Sequence, residues 1–89
     1  YIKMEKYIVT CPRYLHIDKK NLPANIYMIV YDGSGEDISS KSKFEINSDS
    51  DLIKLTKNKV SINKNLGRGV YKIIGTYGNM SSSSFIYIN

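Results

Sequence analysis

The alternation of apolar side chains between residues 24 and 31, which read ANIYMIVY, constrains the fold of this chain more than any other feature. Its even-numbered positions carry Ala, Ile, Met and Val, while its odd-numbered positions carry Asn, Tyr, Ile and Tyr. Successive side chains of a β-strand point to opposite faces, so a period of two predicts an extended chain rather than a helix. We therefore predict one strand over 24–31, buried on one face and half covered on the other.

Short segments with the same period recur along the rest of the chain. Each is rich in β-branched or aromatic residues and is bounded by Gly, Asn, Asp, Ser or Lys. No stretch places apolar residues at helical spacing over more than one turn, so only single-turn helices are expected. The further predicted strands span residues 6–10, 43–46, 52–56, 59–62, 70–77 and 83–88. Pro12 interrupts the first of these, and residues 14–17 are predicted to cross to the opposite sheet.

These short strands, separated by turn signals, define the predicted fold class. Strands at intervals of ~8 to 12 residues in a chain near ~100 residues are the sequence pattern of an immunoglobulin-like sandwich. We therefore predict an all-β, immunoglobulin-like β-sandwich of about seven antiparallel strands. Gly78 and Asn79 predict a tight hairpin between the last two strands. The single cysteine, Cys11, excludes an internal disulfide, so packing alone must hold the fold.

The length and charge of the chain limit its organisation and partners. Its 89 residues leave room for one domain, which we place at 6–89, with 1–5 as a linker or the end of a preceding segment. The chain does not begin with Met and lacks a signal-peptide core, which predicts a segment of a longer protein. Its apolar runs are far shorter than the ~20 residues of a spanning helix, so no membrane insertion is expected. The net charge of +5 comes from scattered lysines and only two arginines, which does not favour nucleic-acid binding.

The glycine-rich and acidic segment YDGSGEDIS, residues 31–39, has three readings: a metal loop, a phosphate-binding loop or a turn. Asp32, Glu36 and Asp37 lack the alternate spacing of a calcium loop, and no helix follows to complete a phosphate site. We therefore predict a turn. A second acidic segment, 47–52, would add oxygens for a weak cation site if the two loops met, but its Ser, Asn and Asp residues favour a solvated turn. No cofactor or metal is expected.

Cys11 and His16 are the only potential pair of a nucleophile and a base. Catalysis requires such groups within hydrogen-bonding distance of each other, together with a third group that orients them. Pro12 separates the two residues, and a buried cysteine with an exposed histidine is the ordinary outcome. We predict that the chain is not an enzyme.

Eight tyrosines are the one compositional feature above background. Tyr27, Ile29 and Tyr31 share the face opposite Ile26 and Met28, so either a second layer covers them or they form an exposed aromatic stripe. Because Tyr is rigid and amphipathic, these three residues are the candidate contacts for a partner. The alternative is that strand propensity alone accounts for them.

Three segments carry a resemblance to a known family: residues 31–39, residues 43–55 (KFEINSDSDLIKL) and residues 60–88 (VSINKNLGRGVYKIIGTYGNMSSSSFIYI). Together they resemble the bacterial immunoglobulin-like domains of group 2. The matching positions are Asp32 and Gly33 in its turn, Asp37, Ile38 and Ser39 in the following triplet, Phe44 at its tryptophan position, Gly69 at its glycine, and Ile73, Gly75 and Tyr77 on its inward face. The chain departs from the pattern by having Phe44 for Trp and Tyr71 for Ala.

The resemblance implies a function without catalytic residues. Domains of this family form stalks, spacers and adhesive surfaces in bacterial surface proteins and in phage tail and head proteins. The implied role is a structural and display module, a spacer with weak adhesion, in an extracellular protein of the bacterial surface or a phage virion. Its partners would be neighbouring domains of the same polypeptide and a cell-surface glycan or protein. The alternative is a domain that binds a host-surface glycan or protein through the tyrosine-bearing face or the acidic loops.

Overall fold

The computed structural model describes residues 7–89, which form nine β-strands and two short 3₁₀ turns. The strands are β1 (Ile8–Cys11), β2 (Tyr14–Ile17), β3 (Ala24–Tyr27), β4 (Ile29–Asp32), β5 (Lys43–Ile46), β6 (Ile53–Thr56), β7 (Lys59–Ile62), β8 (Gly69–Tyr77) and β9 (Met80–Ile88). The 3₁₀ turns are Lys19–Asn21 and Ser39–Lys41, and no α-helix lies within the described residues. The predicted linker at 1–5, and Lys6 at the start of the first predicted strand, lie outside them.

The strands form three hydrogen-bonded sheets, with the orders β1-β4, β3-β7-β6 and β2-β9-β8-β5. The predicted crossing at Pro12 is confirmed, because β1 pairs with β4 whereas β2 pairs with β9. The prediction of purely antiparallel strands is wrong in one place, since β2 and β9 run parallel. No disulfide is present, and the thiol of Cys11 is free.

The strand predicted over 24–31 is divided into β3 and β4 because its pairing partner changes at Met28. β3 is antiparallel to β7, and β4 is antiparallel to β1. At the division, the Met28 N–H donates to the Asn58 carbonyl at 2.7 Å, and the Asn58 side-chain amide donates to the Met28 carbonyl at 3.0 Å. Both backbone polar groups of this buried residue are therefore satisfied outside a regular ladder.

One apolar core is shared by the four-stranded and the three-stranded sheets. Its buried members are Ile17, Leu22, Met28, Ile53, Val60, Ile62, Leu66, Ile73, Ile86 and Ile88. A smaller cluster of Ile8, Val30 and Ile38 lies under β1 and β4, with Phe44, Tyr77 and Met80 packed against it. The inward positions predicted for Ile73 and Gly75 are confirmed, and Tyr77 is half-buried.

The serine run 81–84 joins β1 to β9. These serines do not lie at a sheet edge, because β9 lies between β8 and β2. The Thr10 N–H donates to Ser82 Oγ at 3.0 Å, and Thr10 Oγ1 donates to the Ser82 carbonyl at 3.3 Å. Ser84 Oγ donates to the Pro12 carbonyl. Alternate serines thus replace the missing backbone ladder between these strands.

Two tight hairpins connect strands of the two larger sheets. Between β8 and β9, Tyr77 faces Met80 and Gly78 has φ +62°, as predicted for a glycine at this corner. Between β6 and β7, Thr56 faces Lys59 and the equivalent position is Lys57, with φ +54°. An L-residue with a side chain is strained in this left-handed region.

Candidate functional site

The three predicted contact residues, Tyr27, Ile29 and Tyr31, lie on one face, opposite the buried Met28 and Val30. Tyr27 is 61% exposed, whereas Ile29 and Tyr31 are half-buried. The burial pattern places the three side chains on the face away from Met28 and Val30, and Tyr27 is the most accessible of them.

Strand β1 extends this apolar face. Cys11 pairs with Ile29 and Val9 with Tyr31, and both lie outward while Ile8 and Thr10 are buried beneath them. Tyr7, just before β1, is 45% exposed, and its ring lies 3.0 Å from the position that a Cβ at Gly33 would occupy. The outward side chains form a continuous surface, which we name the outer stripe: Tyr7, Val9, Cys11, Tyr27, Ile29 and Tyr31.

The outer stripe has groups of opposite charge at its two ends. Beyond Tyr27, the outward positions of β6 and β7 include Lys54 and Lys59, and Lys59 is the register partner of Tyr27. Beyond Tyr31, the chain enters the acidic loop 32–37, where Glu36 is exposed. The single ion pair found within residues 7–89 joins Lys20 and Asp18, so these flanking charges have no partner in the described chain.

The acidic loop is a turn whose carboxylates accept hydrogen bonds from their own loop. One oxygen of Asp32 accepts bonds from the Ser34 hydroxyl at 2.7 Å, the Ser34 N–H at 2.9 Å and the Glu36 N–H at 3.0 Å. The Ser34 hydroxyl and then the Glu36 amide hold the pKa of Asp32 below its ordinary value. Within residues 7–89, no group of three His, Cys, Asp or Glu side chains is arranged to hold a metal ion.

The triplet Asp37, Ile38 and Ser39 fastens this loop to β4. The Ile38 N–H donates to the Val30 carbonyl at 2.8 Å, and the Val30 N–H donates to Ser39 Oγ at 2.8 Å. The Ser39 hydroxyl in turn donates to Asp37 Oδ1 at 2.6 Å, and the Ser39 N–H donates to the same oxygen at 2.9 Å. These bonds, the hydroxyl one first, hold the pKa of Asp37 below its ordinary value. The triplet therefore satisfies both backbone polar groups of Val30.

Cys11 and His16 lie in different sheets and have different neighbours. Cys11 is half-buried on the outer stripe rather than in the core, which corrects the prediction of a buried thiol. His16 is exposed, as predicted, and its ring stacks on Tyr87 with centroids 4.7 Å apart. The structure thus places neither residue where it would serve the other as a nucleophile or a base.

A groove of about 970 Å³ runs between strand β5 and the β6–β7 hairpin. Phe44 and Leu55 are its apolar lining, and its polar lining includes both acidic and basic groups: Asp37, Lys43, Glu45 and Lys57. This mixture of charges does not select an anionic or a cationic ligand. The groove also lacks His and Cys, so it brings together no nucleophile and base of the Cys–His type.

Sequence reasoning missed an aromatic column on the outer face of β2 and β9. Tyr14 stacks on Phe85 at 5.5 Å and on Tyr87 at 5.8 Å, and Tyr87 stacks on His16 at 4.7 Å. The rings are within 26° of parallel, so they cover one another's faces. The stacked contacts join rings on β2 to rings on β9, and Tyr14 remains 62% exposed. The column therefore stabilises the β2–β9 pair.

The signal for this column is the alternation of rings at Tyr14 and His16 and again at Phe85 and Tyr87. Its assembly depends on parallel pairing, with Tyr14 opposite Phe85 and His16 opposite Tyr87. The alternation of side chains within each strand does not predict that pairing, because the two strands come from opposite ends of the chain.

Comparison with known proteins adds no relative from which a function could be transferred. No model of a protein family matches the chain, and neither does any curated protein. Residues 7–89 contain no helix of the length and hydropathy that crossing a bilayer requires.

Proposed function

We propose that this chain is an immunoglobulin-like β-sandwich that acts as a non-catalytic structural and display module, a spacer, in a larger protein of the bacterial surface or a phage virion. The strand connectivity supports this reading. β1-β4 and β3-β7-β6 supply one layer, and β2-β9-β8-β5 supplies the other. β1 and β2 are consecutive parts of one chain segment, and so are β3 and β4. When each of these pairs is counted once, the nine strands become seven, the number of strands in an immunoglobulin-like sandwich.

The main support for the spacer function is the direction of the first and last strands. The β1–β2 segment runs alongside β9 in the same direction, with Thr10 bonded to Ser82 and Ile17 paired with Ile88. The described chain therefore starts beside the beginning of β9 and leaves, at Asn89, beyond its end. The molecule measures 51 × 21 × 17 Å, so it is also elongated. Neighbouring domains attached at opposite poles would extend a stalk in line.

The same geometry resists tension along the stalk. Force on the two chain ends pulls the β1–β2 segment toward one pole and β9 toward the other, so their contacts are loaded in shear. The four register pairs of β2 and β9 share that load with the aromatic column and the bonds to Ser82 and Ser84. Because these contacts are loaded at the same time, several of them must break before β2 and β9 separate. A load-bearing spacer requires this behaviour.

A replacement experiment in the parent polypeptide tests the spacer function. Residues 7–89 are exchanged for an unrelated β-sandwich whose chain ends also lie at opposite poles. We expect adhesion or virion assembly by the parent protein to be retained, while deletion of the same residues shortens its reach. Loss of that function in the exchanged protein, with length preserved, would show that this chain has a specific binding role and overturn the proposal.

A further inference from the structure

Strands β1 and β4 are apolar on both faces, which is unusual for strands with one solvated side. Their inner face is covered, because Ile8 and Val30 pack with Phe44, Tyr77 and Met80. Their outer face forms the outer stripe together with Tyr7 and Tyr27, which are exposed, whereas the other four members are half-buried. Adjoining apolar side chains on a solvent-facing surface are typical of a contact surface.

The charges at the two ends of the outer stripe indicate which molecule would cover it. Lys54 and Lys59 lie beyond Tyr27, and Glu36 lies in the loop beyond Tyr31. A two-fold axis that passes near the Cys11–Ile29 pair would place the basic end of one stripe over the acidic end of another. Apolar centres would then meet, and Lys59 of each copy would face Glu36 of the other.

We propose that the outer stripe is the contact surface for a second copy of this chain, in an antiparallel isologous dimer. Each copy contributes the same residues, so Tyr27 of one lies over Tyr31 of the other and Lys59 faces Glu36. The contact is small, and its charges are at the rim, so the dimer is weak and dissociates more readily as salt is added. In a larger assembly it would join two stalks that run in opposite directions.

Sedimentation equilibrium of the 89-residue chain tests the contact itself. We expect a monomer–dimer equilibrium between about 10 µM and 1 mM, and substitution Ile29→Lys should raise the dissociation constant at least about tenfold. Tyr27→Ser, at an exposed position that folding does not require, should weaken the dimer in the same direction. Ile74→Lys is the matched control, because Ile74 is half-buried on the outer face of the other sheet, and it should leave the dissociation constant unchanged. Circular dichroism verifies that each variant is folded.

A charge exchange tests the orientation. Lys59→Glu and Glu36→Lys should each raise the dissociation constant, and the double variant should restore it because the paired charges are merely swapped. Lys64→Glu, in an exposed loop, controls for the change in net charge. A chain that stays monomeric at 1 mM overturns the proposal. A dimer insensitive to Ile29→Lys and Tyr27→Ser, or one that the double variant does not restore, overturns it as well.

Discussion

Gly75 and Thr10 occupy neighbouring positions on facing strands with no room for a further carbon between them. A Cβ built at Gly75 would lie 2.7 Å from Thr10 Oγ1 and 3.1 Å from Val30 Cγ2. The absence of a side chain on β8 therefore lets β1 and β4 approach it, and that approach brings the hydroxyl of Thr10 to Ser82 on β9. One glycine thus supports the packing on which the N-terminal strand depends.

Gly75→Ala should destabilise the domain because the methyl group has to displace Thr10 or Val30 in a packed region. Overpacking of this kind costs about 1–3 kcal/mol in the free energy of unfolding. Urea denaturation followed by circular dichroism measures it. Gly67→Ala is the control, since a Cβ at Gly67 meets nothing within 4 Å. Equal unfolding midpoints for the two variants would contradict the packing described for Gly75.

Ser82→Ala should lower the free energy of unfolding because it leaves the N–H of the buried Thr10 without its acceptor. A buried donor without a partner costs about 1–3 kcal/mol. Ser81→Ala, one residue earlier and exposed on the outer face, should have no effect. Urea denaturation midpoints of the two variants give a direct comparison. Equal midpoints for Ser82→Ala and Ser81→Ala would contradict the hydrogen bond between Ser82 and Thr10.

Local patterns predicted the strands well where turn residues bound them. β5 at 43–46 and β7 at 59–62 have the predicted bounds, and the crossing at Pro12 is also as predicted. The aromatic column and the hydrogen bonds of Ser82 and Ser84 to the N-terminal segment were not predicted, because both depend on which strands become neighbours. Alternation places Ser82 on the face opposite Ser81, but only the approach of the N-terminal segment gives Ser82 its partner, Thr10.

Only part of the outer stripe was predicted, again because local sequence patterns do not show which strands pair. Tyr27, Ile29 and Tyr31 follow from alternation within one segment, whereas Val9 and Cys11 join them through the pairing of β1 with β4. Cys11 was expected in the core because free cysteines are often buried. The register that places it opposite Ile29 instead puts it on the outer face.

Lys57→Gly should stabilise the domain because Lys57 has φ +54° in the β6–β7 hairpin. Glycine adopts this conformation without the strain that a Cβ introduces, and the expected gain is about 1 kcal/mol after the entropy lost by glycine. Lys54→Gly is the matched control: it removes the same side chain from within β6, where glycine should destabilise by about 0.5–1 kcal/mol. Thermal and urea unfolding should therefore move in opposite directions for the two substitutions.

Acidification should destabilise the loop 32–37. The pKa values of Asp32 and Asp37 are depressed in the folded chain, so their contribution to stability is present above the ordinary value of 3.8. It is lost as the pH falls below 3.8 through their folded pKa values, because the protonated carboxyls accept these bonds less well. NMR titration of the carboxyl carbons measures both groups. Asp32→Asn should reduce the acid-dependent loss, whereas ordinary titration of both carboxyls at 3.8 would refute this account.

Tension applied at the two chain ends should reveal the role of the aromatic column. The ring of Tyr87 stacks on both Tyr14 and His16, so Tyr87→Ser removes two of the three stacked contacts between β2 and β9. Each such pair contributes about 0.5–1.5 kcal/mol beyond its buried area, and under shear the contacts fail together. In single-molecule pulling between the ends of the domain, we expect the variant to unfold at a lower force than the native chain.

Tyr27→Ser is the control for this measurement, because it removes an exposed tyrosine from β3, which lies outside the loaded β2–β9 pair. Its unfolding force should match that of the native chain. If Tyr27→Ser weakens the domain under force as much as Tyr87→Ser does, the load is not concentrated between β2 and β9. The direction of the first and last strands would then give no mechanical support for a spacer, because resistance to tension would come from the sandwich as a whole.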